Sequence, residues 1–246
     1  MEDQARPGFG PNLKRYCNNK DLSDATIRCG EKEFSVHKLV LFSHSEYFVK
    51  QLSGQWKESI EGVINVADFD VTVVEAMVHF LYHQDYYVPS EQSAMAFHAT
   101  MYQIADKYDV QSLKQVARAK FSTAVVELEG WDEVEFPSVI SLVWSTTLPN
   151  DRGLRDVVSA TSLKNLAALL EKDSFIEELT VNGLFAVELI RSQKERFGNI
   201  LRYRCNDCKD AFDFGNKKSL SDDIDRLFFL EPDYCPVCKG RVEEVQ

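Results

Sequence analysis

The chain has 246 residues and is 44% hydrophobic, with 28 Lys or Arg against 39 Asp or Glu for a net charge of −11. That length suits one sizeable core plus one or two smaller units. The charge disfavours direct contact with nucleic-acid phosphates or an anionic membrane, both of which recruit clustered Lys and Arg, so protein partners are the expectation.

Residues 1–12, MEDQARPGFGPN, lack the apolar stretch of a signal peptide, and nowhere do 18 apolar residues run unbroken. The expectation is therefore an intracellular chain, in cytoplasm or nucleus, with a flexible N-terminal tail over 1–12 and no membrane span. Leu13, Tyr16 and Cys17 fall on one side of a short amphipathic segment. The stretch DATIRCGEKEFSVH places Ala25, Ile27 and Cys29, then Phe34 and Val36, in alternation about Gly30-Glu31, which predicts a two-stranded hairpin. Ser43 and Glu46 have the spacing of a capping box and predict a helix over SHSEYFVKQL. Val63, Ile64 and Val66 read as a further strand, and Asp70 as the cap of a buried helix through VTVVEAMVHFLY.

From Ser90 the period becomes helical: Phe97, Met101, Ile104, Ala105 and Tyr108 share one face. After a restart at Asp109, so do Leu113, Val116, Ala117 and Phe121. Further amphipathic stretches follow at 139–143, at Leu163, Leu166, Ala167 and Leu170, and at 181–197. After Gly198 alternation returns, with Leu201 and Tyr203, then Phe212 and Phe214, predicting a separate β-rich end. The order of strands and helices makes the chain α+β, divided as 1–12, 13–128, 129–198 and 199–246.

Leu22-Ser-Asp24, then Phe34-x-Val36-His37-Lys38-x-x-Leu41 with Ser43 and Phe48, then Asp68, Phe80-Leu81-Tyr82 and Ala105-x-x-Tyr108, resemble a BTB/POZ domain in order and spacing. The stretch 129–198, with TLPNDRGLRDVV inside it, resembles the continuation found in fungal-type BTB proteins and, loosely, the BACK region of other BTB adaptors. The resemblance implies a BTB/POZ fold that often homodimerises and recruits other proteins, and it implies no catalysis of its own. In dimerising members the positions of Asp24 and Lys38 lie together in a charged interface pocket, and Leu13 and Tyr16 would sit on the helix that packs between subunits. The plainer alternative is that Asp24 caps a turn and Lys38 is a solvated charge. Adaptors of cullin-3 ubiquitin ligases resemble one another in a hydrophobic-x-Glu triplet, and Trp56-Lys57-Glu58 stands at that place. There an exposed aromatic could anchor in a groove with a carboxylate at its rim, or Trp56 could fold back onto its own domain. The implied function is a protein-interaction adaptor or scaffold, with a chromatin- or transcription-associated scaffold lacking any ligase role as the alternative.

Two Cys-x-x-Cys pairs, Cys205/Cys208 and Cys235/Cys238, are separated by 26 residues. Each tight turn points two sulfurs inward, so the four thiolates suit a tetrahedral Zn2+ in a ribbon-like module. A disulfide or redox pair and unliganded thiols remain alternatives, and four cysteines can also hold an iron–sulfur cluster. A shell of four cysteines leaves no open position for water, so the expected role of the ion is structural. From 199 to 246 there are eight Lys or Arg and ten Asp or Glu, which favours a protein contact over a DNA contact. Cys17 and Cys29 are spaced as core thiols, and His37 as a hydrogen-bonded structural residue. His79, His83 and His98 form no catalytic pattern, and Asp222, Asp223 and Asp225 read as a solvated loop. The expected whole is a BTB/POZ fold, a helical region and a small zinc-stabilised β-rich module, without enzymatic activity.

Overall fold

The alternation of Ala25, Ile27 and Cys29 buries one face of strand β1 (Ala25–Cys29). Gly30, at φ +58, turns the chain into β2 (Lys32–Val36), and the two pair antiparallel with Ala25 opposite Val36 and Cys29 opposite Lys32. In this computed structural model the described residues are 12–55, 57–126, 135–197, 200–209, 211–215, 237–238 and 241–245. Most of the N-terminal tail and the acidic cluster Asp222, Asp223 and Asp225 lie outside them. Strand β3 (Val63–Asn65) joins β1 from the other side in parallel, giving the order β2-β1-β3.

Between β2 and β3 the chain forms three short helices: α1 (Lys38–His44), α2 (Glu46–Ser53) and α3 (Lys57–Glu61). The predicted capping box is corrected here. Ser43 lies inside α1, where its hydroxyl donates to the Val40 carbonyl, and the cap of α2 is Ser45, which accepts from the Phe48 N–H at 3.3 Å. Ser45 can do this because the backbone breaks to an extended conformation there, and its buried hydroxyl also donates to the Tyr108 carbonyl at 2.5 Å. Asp70 does stand at the N-cap of α4 (Val71–His83), but its side chain makes no capping bond. That helix is held instead by burial on nearly all sides, as its apolar density predicts.

Helices α5 (Ala94–Lys107) and α6 (Gln111–Val126) form an antiparallel pair whose inner faces bury the predicted Phe97, Met101, Ile104, Leu113, Ala117 and Phe121. The connection turns at Asp109, held at φ +52. Beyond it come α7 (Glu135–Thr146), α8 (Arg152–Lys164), α9 (Leu166–Leu169), α10 (Asp173–Val181) and α11 (Gly183–Phe197). The buried apolar cluster runs unbroken from Ala25 to Leu189, so these helices share the core of the α/β part. The joint is polar and specific. Tyr102 on α5 donates its hydroxyl to Asp151 at 2.6 Å, Lys114 on α6 bridges Asp106 and Asp151, and the same Asp151 carboxylate caps α8 at the Gly153 N–H. Burial and the bond to Asp151 push the Tyr102 phenol up to about 12.

His98 is buried in this core, with Nδ1 2.8 Å from the Tyr86 hydroxyl. Burial, and secondarily the charge of Lys120, push it down to about 4. A depressed histidine favours the neutral folded form, so its stabilisation is complete above the ordinary pKa near 6.5 and is lost as pH falls toward 4. Urea unfolding between pH 7 and pH 4 is expected to show a loss of up to about 3 kcal/mol from this group. His98→Gln, which keeps an acceptor for Tyr86, should flatten that part of the profile, and an unchanged slope in the variant would remove His98 as its source.

The C-terminal strands form a second sheet: β4 (Ile200–Cys205), β5 (Ala211–Gly215) and β6 (Val242–Val245), ordered β5-β4-β6 and antiparallel throughout. The alternation read after Gly198 is thus strand structure.

Candidate interaction and metal sites

Three sequence-predicted places can be followed. The first is a groove of about 350 Å3 beside β1 and α1. Leu13 and Tyr16 reach it from the short segment that holds the 3-10 turn Lys14–Tyr16. Asp24 and His37 also line it, as do Leu22 and Leu39, which are 81% and 70% exposed. Sequence reasoning missed both leucines. Leu39 could have been found from a seven-residue helix too short to bury every apolar face of KLVLF. Leu22 adopts φ +61, a conformation that a bulky side chain seldom takes and that holds it out toward solvent.

Asp24 and Lys38 are neighbours, although through the backbone: Asp24 Oδ1 accepts from the Lys38 N–H at 2.7 Å and so satisfies one of the open donors at the start of α1. The charge of Lys38 pairs with no carboxylate within 4 Å among the described residues. His37 is fixed from both sides. Its Nε2 lies 2.8 Å from the Asp21 carbonyl, so the proton sits there, and Nδ1 accepts from the Tyr82 hydroxyl at 2.7 Å. The Tyr82 oxygen in turn accepts the His37 N–H at 3.0 Å. Both ring nitrogens are committed to positioning, which leaves His37 no free base.

The second place is the Trp56-Lys57-Glu58 triplet. Trp56 lies outside the described residues, while Lys57 and Glu58 open the short helix α3. Lys57 is exposed and sits 3.8 Å from Glu61, and Glu58 is half-buried. Ser59 ties the helix back by donating to the Leu52 carbonyl at 2.9 Å, and Ile60, which sequence reasoning missed, is 80% exposed. Glu58 thus lies on one helix with an exposed aliphatic side chain.

The third place is the cysteine cluster. Cys205, Cys208 and Cys238 have their sulfurs within 4.8 Å of one another, with Cys205 and Cys238 at 3.3 Å; Cys235 lies outside the described residues. The sheet explains the meeting. Cys205 ends β4 opposite Val242 of β6, and the Asn206 N–H donates to the Arg241 carbonyl, so the turn before β6 is drawn onto the first pair. The first turn has no glycine, and Lys209 itself takes the left-handed position at φ +64. The N–H groups of Asp207 and Cys208 both donate to the Cys205 sulfur at 3.4 Å. Burial would raise the Cys205 thiol, but those donors and the neighbouring thiols outweigh it and bring the group down to about 7. Donor type and spacing fit a metal ion: a tetrahedral site with Zn–S of about 2.3 Å needs sulfurs about 3.8 Å apart. Cys29 is instead buried and bonded to the Phe69 carbonyl, and Cys17 packs half-buried on the core, its thiol raised by burial and by Glu75.

Residues 13–124 match the family model described as the BTB/POZ domain. These residues form a BTB/POZ domain. Kelch-like protein 8 of Mus musculus is 34% identical over 80 residues, 32% of this chain and 13% of that protein. Kelch repeat and BTB domain-containing protein 4 of Homo sapiens is 22% identical over 178 residues, 72% of this chain and 31% of that protein. The second match is longer than the BTB/POZ domain and so extends into the helices that follow it. The chain therefore spans less than a third of these two relatives. The BTB domain of human gigaxonin aligns with 48% of the chain and 96% of its own length at 16% identity, with a TM-score of 0.36. No helix among the described residues is long and apolar enough to cross a membrane.

Proposed function

We propose that this chain is a non-enzymatic adaptor that joins proteins, using its BTB/POZ domain to self-associate or to recruit cullin-3 and its zinc-held C-terminal end to present a further surface. The observation that carries the reading is the match of residues 13–124 to a protein-interaction module. The groove lined by Leu13, Tyr16, Leu22, Asp24 and Leu39 supports self-association, because two such grooves facing each other would cover apolar side chains now in water. In that arrangement Lys38, free of any carboxylate among the described residues, would gain one from the second subunit. Light scattering of the purified chain is expected to give a dimer, and Leu39→Asp a monomer. Cullin-3 recruitment is supported by the Trp56-Lys57-Glu58 triplet and by Ile60 exposed on the same helix. The cullin-3 N-terminal domain is expected to co-purify with the chain and to lose at least about tenfold in affinity with Trp56→Asp or Glu58→Lys. Retained binding in both variants would reject this contact assignment. Cys205, Cys208, Cys235 and Cys238 are proposed to hold one structural Zn2+, which supplies folding free energy and no reaction.

A further inference from the structure

The helical region carries a cleft of about 330 Å3 formed between α7, α8 and α11. Its polar lining is cationic, with Arg152, Arg155 and Arg191 against the single carboxylate of Glu188. That carboxylate is already committed, since it pairs with Arg152 at 2.6 Å and accepts from Ser159 at 2.9 Å. Arg152 also pairs with Asp156. The other two guanidinium groups form no ion pair among the described residues, although Glu188 feels the charge of Arg155 at longer range.

Arg155 is 5% exposed, and its Nε donates to Thr147 Oγ1 while Nη2 donates to the Thr147 and Trp144 carbonyls. All three acceptors are neutral, no carboxylate lies within 4 Å, and Nη1 has no hydrogen-bond partner among the described residues. A guanidinium taken out of water without an anion bears a desolvation cost that an incoming carboxylate can offset. Arg191 is exposed and likewise forms no ion pair among the described residues. The remaining wall is apolar: the Trp144 ring, whose buried indole N–H lacks an acceptor, with Leu184 and Val187, 72% and 43% exposed, on α11. Two guanidinium groups without an ion pair among the described residues, beside an apolar wall, stand out on a chain whose net charge is −11.

We propose that this cleft binds an acidic peptide segment of a partner protein, taking a carboxylate between Arg155 and Arg191 and an adjacent large apolar side chain against Trp144, Leu184 and Val187. The planar fork of arginine suits a carboxylate, and the apolar wall selects a peptide over a free anion. The inference goes beyond the adaptor reading, because it places a partner site outside the BTB/POZ domain and stands whether or not cullin-3 binds.

The test uses the full chain and a fluorescein-labelled Glu-Glu-Leu-Phe-Glu-Glu peptide in fluorescence anisotropy. Saturable binding is expected with Kd below about 100 µM. Binding should be at least about tenfold weaker for Lys-Lys-Leu-Phe-Lys-Lys and for Glu-Glu-Gly-Gly-Glu-Glu. Arg191→Glu, on an exposed side chain, should weaken binding at least about tenfold and Arg191→Lys less, while Arg118→Glu, the same charge change on α6, should leave it intact. The proposal is overturned by an absence of saturation up to about 1 mM, by equal binding of the basic peptide, or by an unaltered Arg191→Glu. Inorganic phosphate that displaces the Leu-Phe probe as readily as the Gly-Gly probe would also overturn it, in favour of a small-anion site.

Discussion

Replacing Cys208 or Cys238 by serine is expected to strip the chain of about one equivalent of zinc and to open its C-terminal sheet while the core from Ala25 to Leu189 stays folded. The region after residue 198 is too short to bury a large core, so metal binding, on the order of 10 kcal/mol in small zinc modules, should supply much of its folding free energy. Elemental analysis gives the stoichiometry. Hydrogen exchange then locates the damage, because amides in β4 and β5 should lose protection in the serine variants or in chelator while those in α4 and α5 do not. Purified protein with less than about half an equivalent of zinc and four free C-terminal thiols would falsify the clamp.

Gly153→Ala is expected to be strongly destabilising. A Cβ there would overlap the Tyr102 hydroxyl and lie 2.7 Å from its ring carbon Cζ, so one of the two residues must move. Either Tyr102 swings away and abandons Asp151, or α8 shifts off α5; overpacking of this kind costs about 1–3 kcal/mol. Calorimetry is expected to show a lowered thermal midpoint. Tyr102→Phe alone should cost about 1 kcal/mol through its lost hydrogen bond. The double variant should lose less than the two single losses added, because removing the hydroxyl also removes the nearer clash. Strict additivity would mean that the two residues do not meet.

What sequence could reveal was whatever depends on neighbours in the chain. Strands β1 and β2 were visible because residues 25–36 alternate about one glycine, and the buried faces of α5 and α6 because their apolar residues keep a helical period. The cysteine pairs announced themselves by spacing, and three of the four now stand together. Choices between near-equivalent residues were less visible. Ser43 and Ser45 both suit a cap, and only the extended backbone at Ser45, bonded to the distant Tyr108, decides between them. The parallel pairing of β3 with β1 joins segments separated by a strand and three helices, so no local pattern encodes it. The cleft around Arg155 was invisible for the same reason: its walls come from the consecutive α7 and α8 and from α11, some 30–40 residues further along the chain.

With an unbroken core from Ala25 to Leu189, the BTB/POZ domain and the helices after it are expected to melt as one cooperative unit. Any ligand that grips only α8 and α11 therefore raises the unfolding free energy of the whole unit by RT ln(1 + [L]/Kd), including strands it never touches. Occupancy at the arginine cleft would thus be read out as cellular lifetime: a chain holding its partner would outlast an empty one, and its level would follow that of the partner without any change in its synthesis.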